Sequence, residues 1–147
     1  MRLYAGTSRQ FIQDTVQNQI VDKLKGSFEE YYGRRANPSE TMSWTNSLQF
    51  LKNVIERSSL FSNMMILEYE LPYSNERIDC TIFGKSEDKD SIVILELKQW
   101  EKVKDCDVEG NVLTITGMTE KPVAHPSYQV KGYHNYLRNF MEVFQEK

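Results

Sequence analysis

The sequence predicts an α/β (α+β) fold, a mixed β-sheet flanked by helices, and three changes of pattern carry that prediction. Apolar residues recur at helical spacing through residue 55, short β-branched runs occupy residues 64 to 97, and helical spacing returns after residue 127. The expected order is helix, helix, three strands, a small hairpin and a final helix.

Phe11, Ile12, Val16, Ile20, Leu24 and Phe28 lay one apolar stripe along a helix that starts near Thr7 or Ser8. Gly33 and Pro38 break it. Beyond Pro38, Ser39 is a plausible cap, and Trp44, Leu48, Leu51 and Ile55 follow at i, i+4, i+7 and i+11, the spacing of a second amphipathic helix. Residues 64–71 are apolar, interrupted by Glu68 and Glu70, and end in Pro72-Tyr73-Ser74-Asn75, a turn composition.

Residues 77–83 alternate as a second strand, with Ile78, Cys80 and Ile82 on one face and Arg77, Asp79, Thr81 and Phe83 on the other. Residues 84–91 read as a solvated loop, and 92–97 as a central strand, because a β-branched run suits a sheet interior. Val108-Glu109-Gly110-Asn111-Val112 suggests a small hairpin leading into 113–116. From Ser127 onward, Tyr133, Leu137, Phe140 and Phe144 keep helical spacing.

Composition narrows the classes. The 147 residues suit a single domain, 1–147, which would bury about 70% of its unfolded surface without a structural metal or disulfide. With 39% hydrophobic residues and no repeat, disorder and solenoids are excluded, and no apolar run reaches the ~20 residues of a membrane span. Residues 1–10 lack the features of a secretory signal, so Cys80 and Cys106 are expected as plain thiols in a reducing cytoplasm. The net charge of −3 is not that of a protein held on nucleic acid by bulk electrostatics.

The chemistry centres on Glu96 and Lys98, which share a strand face roughly 6.6 Å apart. If 84–91 is a loop and Phe83 pairs with Ile92, counting back sets Asp79 opposite Glu96, where two carboxylates either repel or share a hard cation. An ordinary Glu96–Lys98 ion pair, with Asp79 in solvent, is the competing reading. Gly84-Lys85-Ser86 lacks the upstream glycine of a phosphate loop, and His125 and His134 lack partners at zinc-ligand spacing. His125 reads as a loop or capping residue.

Ile78-Asp79 followed by Glu96-Leu97-Lys98 resembles the PD-(D/E)xK nucleases, and Gln129-Val130-Lys131-Gly132-Tyr133 is similar to the QxxxY element of their RecB-like and Cas4-like branches. Over its whole length the chain also looks like the N-terminal nuclease-like region of bacterial proteins carrying a DUF2075, Schlafen-group-3-like helicase module. That likeness rests on Ser39-Glu40-Thr41-Met42-Ser43-Trp44, Glu68-Tyr69-Glu70-Leu71-Pro72, Glu96-Leu97-Lys98-Gln99-Trp100 and His125-Pro126-Ser127-Tyr128-Gln129. The resemblance implies a restriction-endonuclease-like core whose final strand is missing, so the chain is expected to be the N-terminal part of a longer protein or to have its sheet completed by something else.

It further implies that Asp79, Glu96 and the backbone carbonyl of Leu97 hold Mg²⁺ or Mn²⁺ and that Lys98 positions the attacking water. Gln129 would orient Lys98 or the substrate, and Glu40 would be the extra acid of the first core helix, unless it is simply a first-turn acid favoured by the helix dipole. Glu68 is a weaker substitute for it. Arg77, Lys102, Lys131 and Tyr133 are candidate nucleic-acid contacts, although Tyr133 also suits core packing and the basic residues suit plain surface. The expected activity is phosphodiester hydrolysis, on DNA more than RNA, beside a helicase-like partner module. The alternatives are a nuclease-fold module that only binds nucleic acid or docks its neighbour, and a pure protein-interaction domain.

Overall fold

The structure is a computed structural model that describes residues 1–87 and 89–141. The chain divides into two compact units, Met1–Leu95 and Glu96–Lys147. It is a mixed α/β chain, and among the described residues no helix is long and apolar enough to cross a membrane.

The first unit opens with a strand the sequence analysis did not anticipate, β1 (Arg2–Thr7). Helix α1 (Ser8–Val16) starts where expected, because Thr7 and Gln10 form a reciprocal capping box. The stripe then breaks: the expected single helix is two, α1 and α2 (Ile20–Tyr32). Asn18 takes φ 57°, its N–H donates to Thr15 O and the Gln19 N–H donates to Asp14 O. That is a Schellman ending with asparagine in the left-handed position. Val16 and Ile20 straddle the break at a spacing of four, so periodicity could not register it; Val16 is 62% exposed, off the core.

Helix α3 (Pro38–Arg57) is capped by Asn37, whose side-chain oxygen accepts from the Glu40 N–H at 2.8 Å. Ser39, the expected cap, lies inside the helix. Proline suits the first helical position because it lacks an N–H and its φ is preset, which moves the cap to the residue before it. Trp44, Leu48, Leu51 and Ile55 are buried as the spacing predicted.

Strands β2 (Met64–Glu70), β3 (Arg77–Ser86) and β4 (Lys89–Leu95) follow, and the sheet order is β1-β2-β3-β4, antiparallel throughout. The mixed sheet expected from sequence is therefore absent among the described residues. The loop expected over 84–91 is largely strand, with Lys85 paired to Asp90 and Ser86 to Lys89. Polar residues here line a ribbon arm exposed to water. Both arms lengthen together, so the predicted Phe83↔Ile92 register holds. Strand β4 is an edge rather than a central strand, with Val93 52% exposed, and it ends at Leu95 instead of residue 97.

Phe11, Leu24, Phe28, Ile55, Met65, Leu67, Ile78 and Cys80 are at most 1% exposed and form the core of this unit. Each large apolar side chain so buried contributes about 1.5–3 kcal/mol. Asp14 joins three elements: the Tyr4 hydroxyl donates to it at 2.9 Å and Lys23 pairs with it at 2.8 Å. Burial, and then Asp14, push the Tyr4 phenol above its ordinary range. Both cysteines are free thiols; burial, with Asp79 and Glu68 adding to it, pushes Cys80 up to about 12.

The second unit holds a small antiparallel sheet, β5 (Val103–Lys104), β6 (Asn111–Thr116) and β7 (Thr119–Ala124), followed by α4 (Pro126–Phe140). As expected, an antiparallel connection leads through residues 105–110 into β6, with β5 pairing β6, and a second hairpin that the sequence analysis did not anticipate joins β6 to β7 through Gly117 at φ 69°. Pro122 is tolerated in β7 because that strand is an edge. His125 caps α4, its Nδ1 accepting from the Ser127 N–H at 3.1 Å. Tyr133 and Leu137 are buried, Phe140 is exposed, and Phe144 lies outside the described residues.

Candidate active site

In the first unit, strand register brings charges together. The pairs Leu67↔Cys80 and Tyr69↔Ile78 bracket Glu68 and Asp79, which stand across from one another, and Glu70 pairs with Arg77. Helix α3 adds Glu40 from its first turn. Arg77 links the two acids: its Nε lies 2.6 Å from Glu68 Oε2, and its Nη2 donates to Glu40 Oε1. These side chains line a cleft of about 490 Å³ with Arg34, Trp44 and Asp79.

Glu68 is the most perturbed member. Its side chain is 10% exposed, and burial pushes its carboxyl up to about 7, with Asp79 and Glu40 adding to the rise. Arg77 and a hydrogen bond from Trp44 pull the other way without cancelling it. Glu68 also takes φ 54°, a left-handed backbone that costs a non-glycine residue about 1–2 kcal/mol. Around Arg77, burial disfavours the charge, but Glu68 and Glu40 outweigh it and raise the guanidinium's pKa. The nearby Tyr32 hydroxyl donates to Glu70 Oε2 at 3.2 Å; burial first, then Glu70, raises its pKa.

Glu96 and Lys98 open the second unit. Although the strand stops before them, they form the close pair expected: Lys98 Nζ lies 2.6 Å from Glu96 Oε1 and 5.7 Å from the Trp100 ring centroid. The Glu96 side chain is 5% exposed, and its Oε2 is buried without a hydrogen-bond partner among the described residues. A buried carboxylate oxygen with no donor is costly unless a cation meets it, so Glu96 fits the metal role the resemblance implies. The β3–β4 ladder ends at Cys80↔Leu95, one pair short of the Asp79–Glu96 pairing expected from sequence, which is not formed among the described residues because β4 stops at Leu95. Among the described residues no three His, Cys, Asp or Glu side chains form a ready-made metal site; the set expected from sequence has two carboxylates and the carbonyl of half-buried Leu97.

On α4, Gln129 Nε2 lies 3.5 Å from the Tyr133 hydroxyl, and Tyr133 is 3% exposed. Lys131 is exposed, with Nζ 5.9 Å from the Tyr128 ring centroid, and Lys102 is exposed. Of the residues singled out by sequence, Glu40, Arg77 and Asp79 line the cleft, Glu96 lies with Lys98 on either side of Leu97, Gln129 lies with Tyr133, and Lys102 and Lys131 are exposed outside these groups. Sequence reasoning missed Arg34 and ranked Glu68 low. The signal for Glu68 was present as an acid inside an apolar strand; Arg34 carried none. No family model, no curated protein and no solved structure matches the chain.

Proposed function

We propose that the chain is a metal-dependent nuclease domain that hydrolyses phosphodiester bonds, in DNA more than RNA, with Asp79, Glu96 and the Leu97 carbonyl as ligands of Mg²⁺ or Mn²⁺. When bound, the cation would polarise the phosphate and lower the pKa of a coordinated water. Lys98 would position that water and offset charge developing on the phosphate oxygens. Gln129 orients the substrate backbone or Lys98. Glu40 and Glu68 keep Arg77 fixed and charged beside Asp79. The restriction-endonuclease-like core and the attachment to a helicase-like module belong to this proposal and rest on the sequence resemblance.

The observation that carries the reading is Glu96: one carboxylate oxygen is on Lys98 and the other is buried with no donor among the described residues. The test is cleavage of plasmid and oligonucleotide DNA with Mg²⁺ or Mn²⁺ by wild type, Asp79→Ala and Lys98→Ala. Each variant is expected to lose about 10²-fold or more. Equal activity in all three refutes the assignment.

A second reading, a nuclease-fold module that binds nucleic acid or docks a neighbour without turnover, is favoured by the net charge of −3 and by the two carboxylates already holding Arg77. Calorimetric titration with Mn²⁺ separates the two. Binding that Asp79→Ala abolishes supports the enzyme, and no binding by wild type supports the passive module.

A further inference from the structure

We propose that Arg34, at the lip of the acidic cleft, grips a phosphodiester group of the substrate backbone, the task the sequence assigned to Arg77. This deepens the nuclease reading and rests on it for the identity of the polymer. Gly33, at φ 64°, ends α2 and turns the chain so that Arg34 lies back over that helix's last turns. Its guanidinium carbon is 5.1 Å from the Phe28 ring centroid and 5.7 Å from that of Tyr32. Those two rings are 4.4 Å apart, and Phe28, 1% exposed, also meets Trp44 at 6.1 Å, so the platform is anchored in the core.

A guanidinium resting on aromatic faces keeps its N–H fork in its own plane, where it can meet two phosphate oxygens, and its orientation is fixed before the ligand arrives. Among the described residues Arg34 has no carboxylate partner, whereas its neighbour Arg35 pairs with Glu29 at 3.6 Å. Arg77 is in the opposite position: an arriving phosphate would have to displace Glu68 or Glu40 from it. Three carboxylates, Glu40, Glu68 and Asp79, face the cleft against two guanidinium groups, so the one without an acid is the group that draws an anionic backbone toward Asp79.

Binding is read apart from cleavage with a labelled single-stranded DNA oligonucleotide in EDTA, across a salt titration, using wild type, Arg34→Ala and Arg34→Lys. Arg34→Ala is expected to weaken binding about tenfold and to reduce the salt slope by about one, the signature of one lost phosphate contact. Arg34→Lys should recover only part, since it restores charge but not the planar fork. Unchanged thermal melting excludes loss of the fold. The proposal is overturned if Arg34→Ala binds as wild type does, if wild type does not bind in EDTA, or if inorganic phosphate competes as well as the oligonucleotide does. Should Arg34→Ala lose binding while wild type fails to cleave with Mg²⁺, Arg34 stands and the nuclease reading falls. Cleavage by wild type with unaltered binding by Arg34→Ala gives the reverse.

Discussion

Replacing Glu68 with Gln isolates the energetic consequence of burying an acid against Arg77. Its carboxyl is moved from an ordinary 4.5 to about 7, burial being the first cause. At about 1.36 kcal/mol per decade of proton affinity, the folded chain resists this ionisation by ~3 kcal/mol. The sign follows from proton linkage. Below pH 4.5 the carboxyl is neutral in both states; between 4.5 and about 7 the unfolded chain ionises and the folded one does not. Stability from this group is therefore full at low pH, falls as pH rises to about 7, and is level beyond.

Glu68→Gln keeps the shape and removes the titration. It removes the Glu68 charge from Arg77 while Glu40 stays, a cost that does not depend on the ionisation of residue 68. The assay is urea unfolding between pH 4.5 and 8, followed by tryptophan fluorescence in a Trp100→Phe background so that Trp44, 3% exposed, is the reporter. Other carboxylates titrate in both proteins, so the difference in unfolding free energy isolates residue 68. Across that range the variant should gain ~3 kcal/mol relative to wild type. A difference that stays constant with pH to within about 0.5 kcal/mol means Glu68 ionises as in water and its burial beside Arg77 does not perturb it.

Two further substitutions probe the frame. Asn37→Ala removes the oxygen that accepts the Glu40 N–H and should cost about 1 kcal/mol in urea unfolding; a cost near zero would show that the first turn of α3 is held by other contacts. Gly110→Ala forces a side chain into φ 75° with its Cβ 3.1 Å from the Tyr128 ring, and because that ring is half-exposed and can move, the loss should be mainly the backbone strain of about 1–2 kcal/mol, read as a lowered melting temperature.

The likeness to PD-(D/E)xK nucleases rested on local strings, and the structure treats those strings unequally. The β3–β4 register was legible because Phe83↔Ile92 depends only on the connection being symmetric, which survives an error about where the loop begins. The capping role of His125 and the start of α1 were legible for a similar reason: capping acts within three residues. Strand β1 was not, because a strand of six residues flanked by a helix carries too little pattern to separate from a loop.

The sequence by itself determined which residues face inward on α3, the inward Tyr133 and Leu137 of α4 though not the exposed Phe140, the alternation of β3, and the closeness of Glu96 to Lys98, since each follows from neighbours a few positions apart. Only the tertiary structure decided that Glu40 reaches Arg77 across 37 positions, that Glu68 stands opposite Asp79, and that Arg34 rests on Phe28 and Tyr32. Those contacts arise where the first turns of α3, at Glu40 and Trp44, reach Arg77 and Glu68 and where α2 turns at Gly33. The burial that perturbs Glu68 is a property of that packing, which spacing along the chain does not encode.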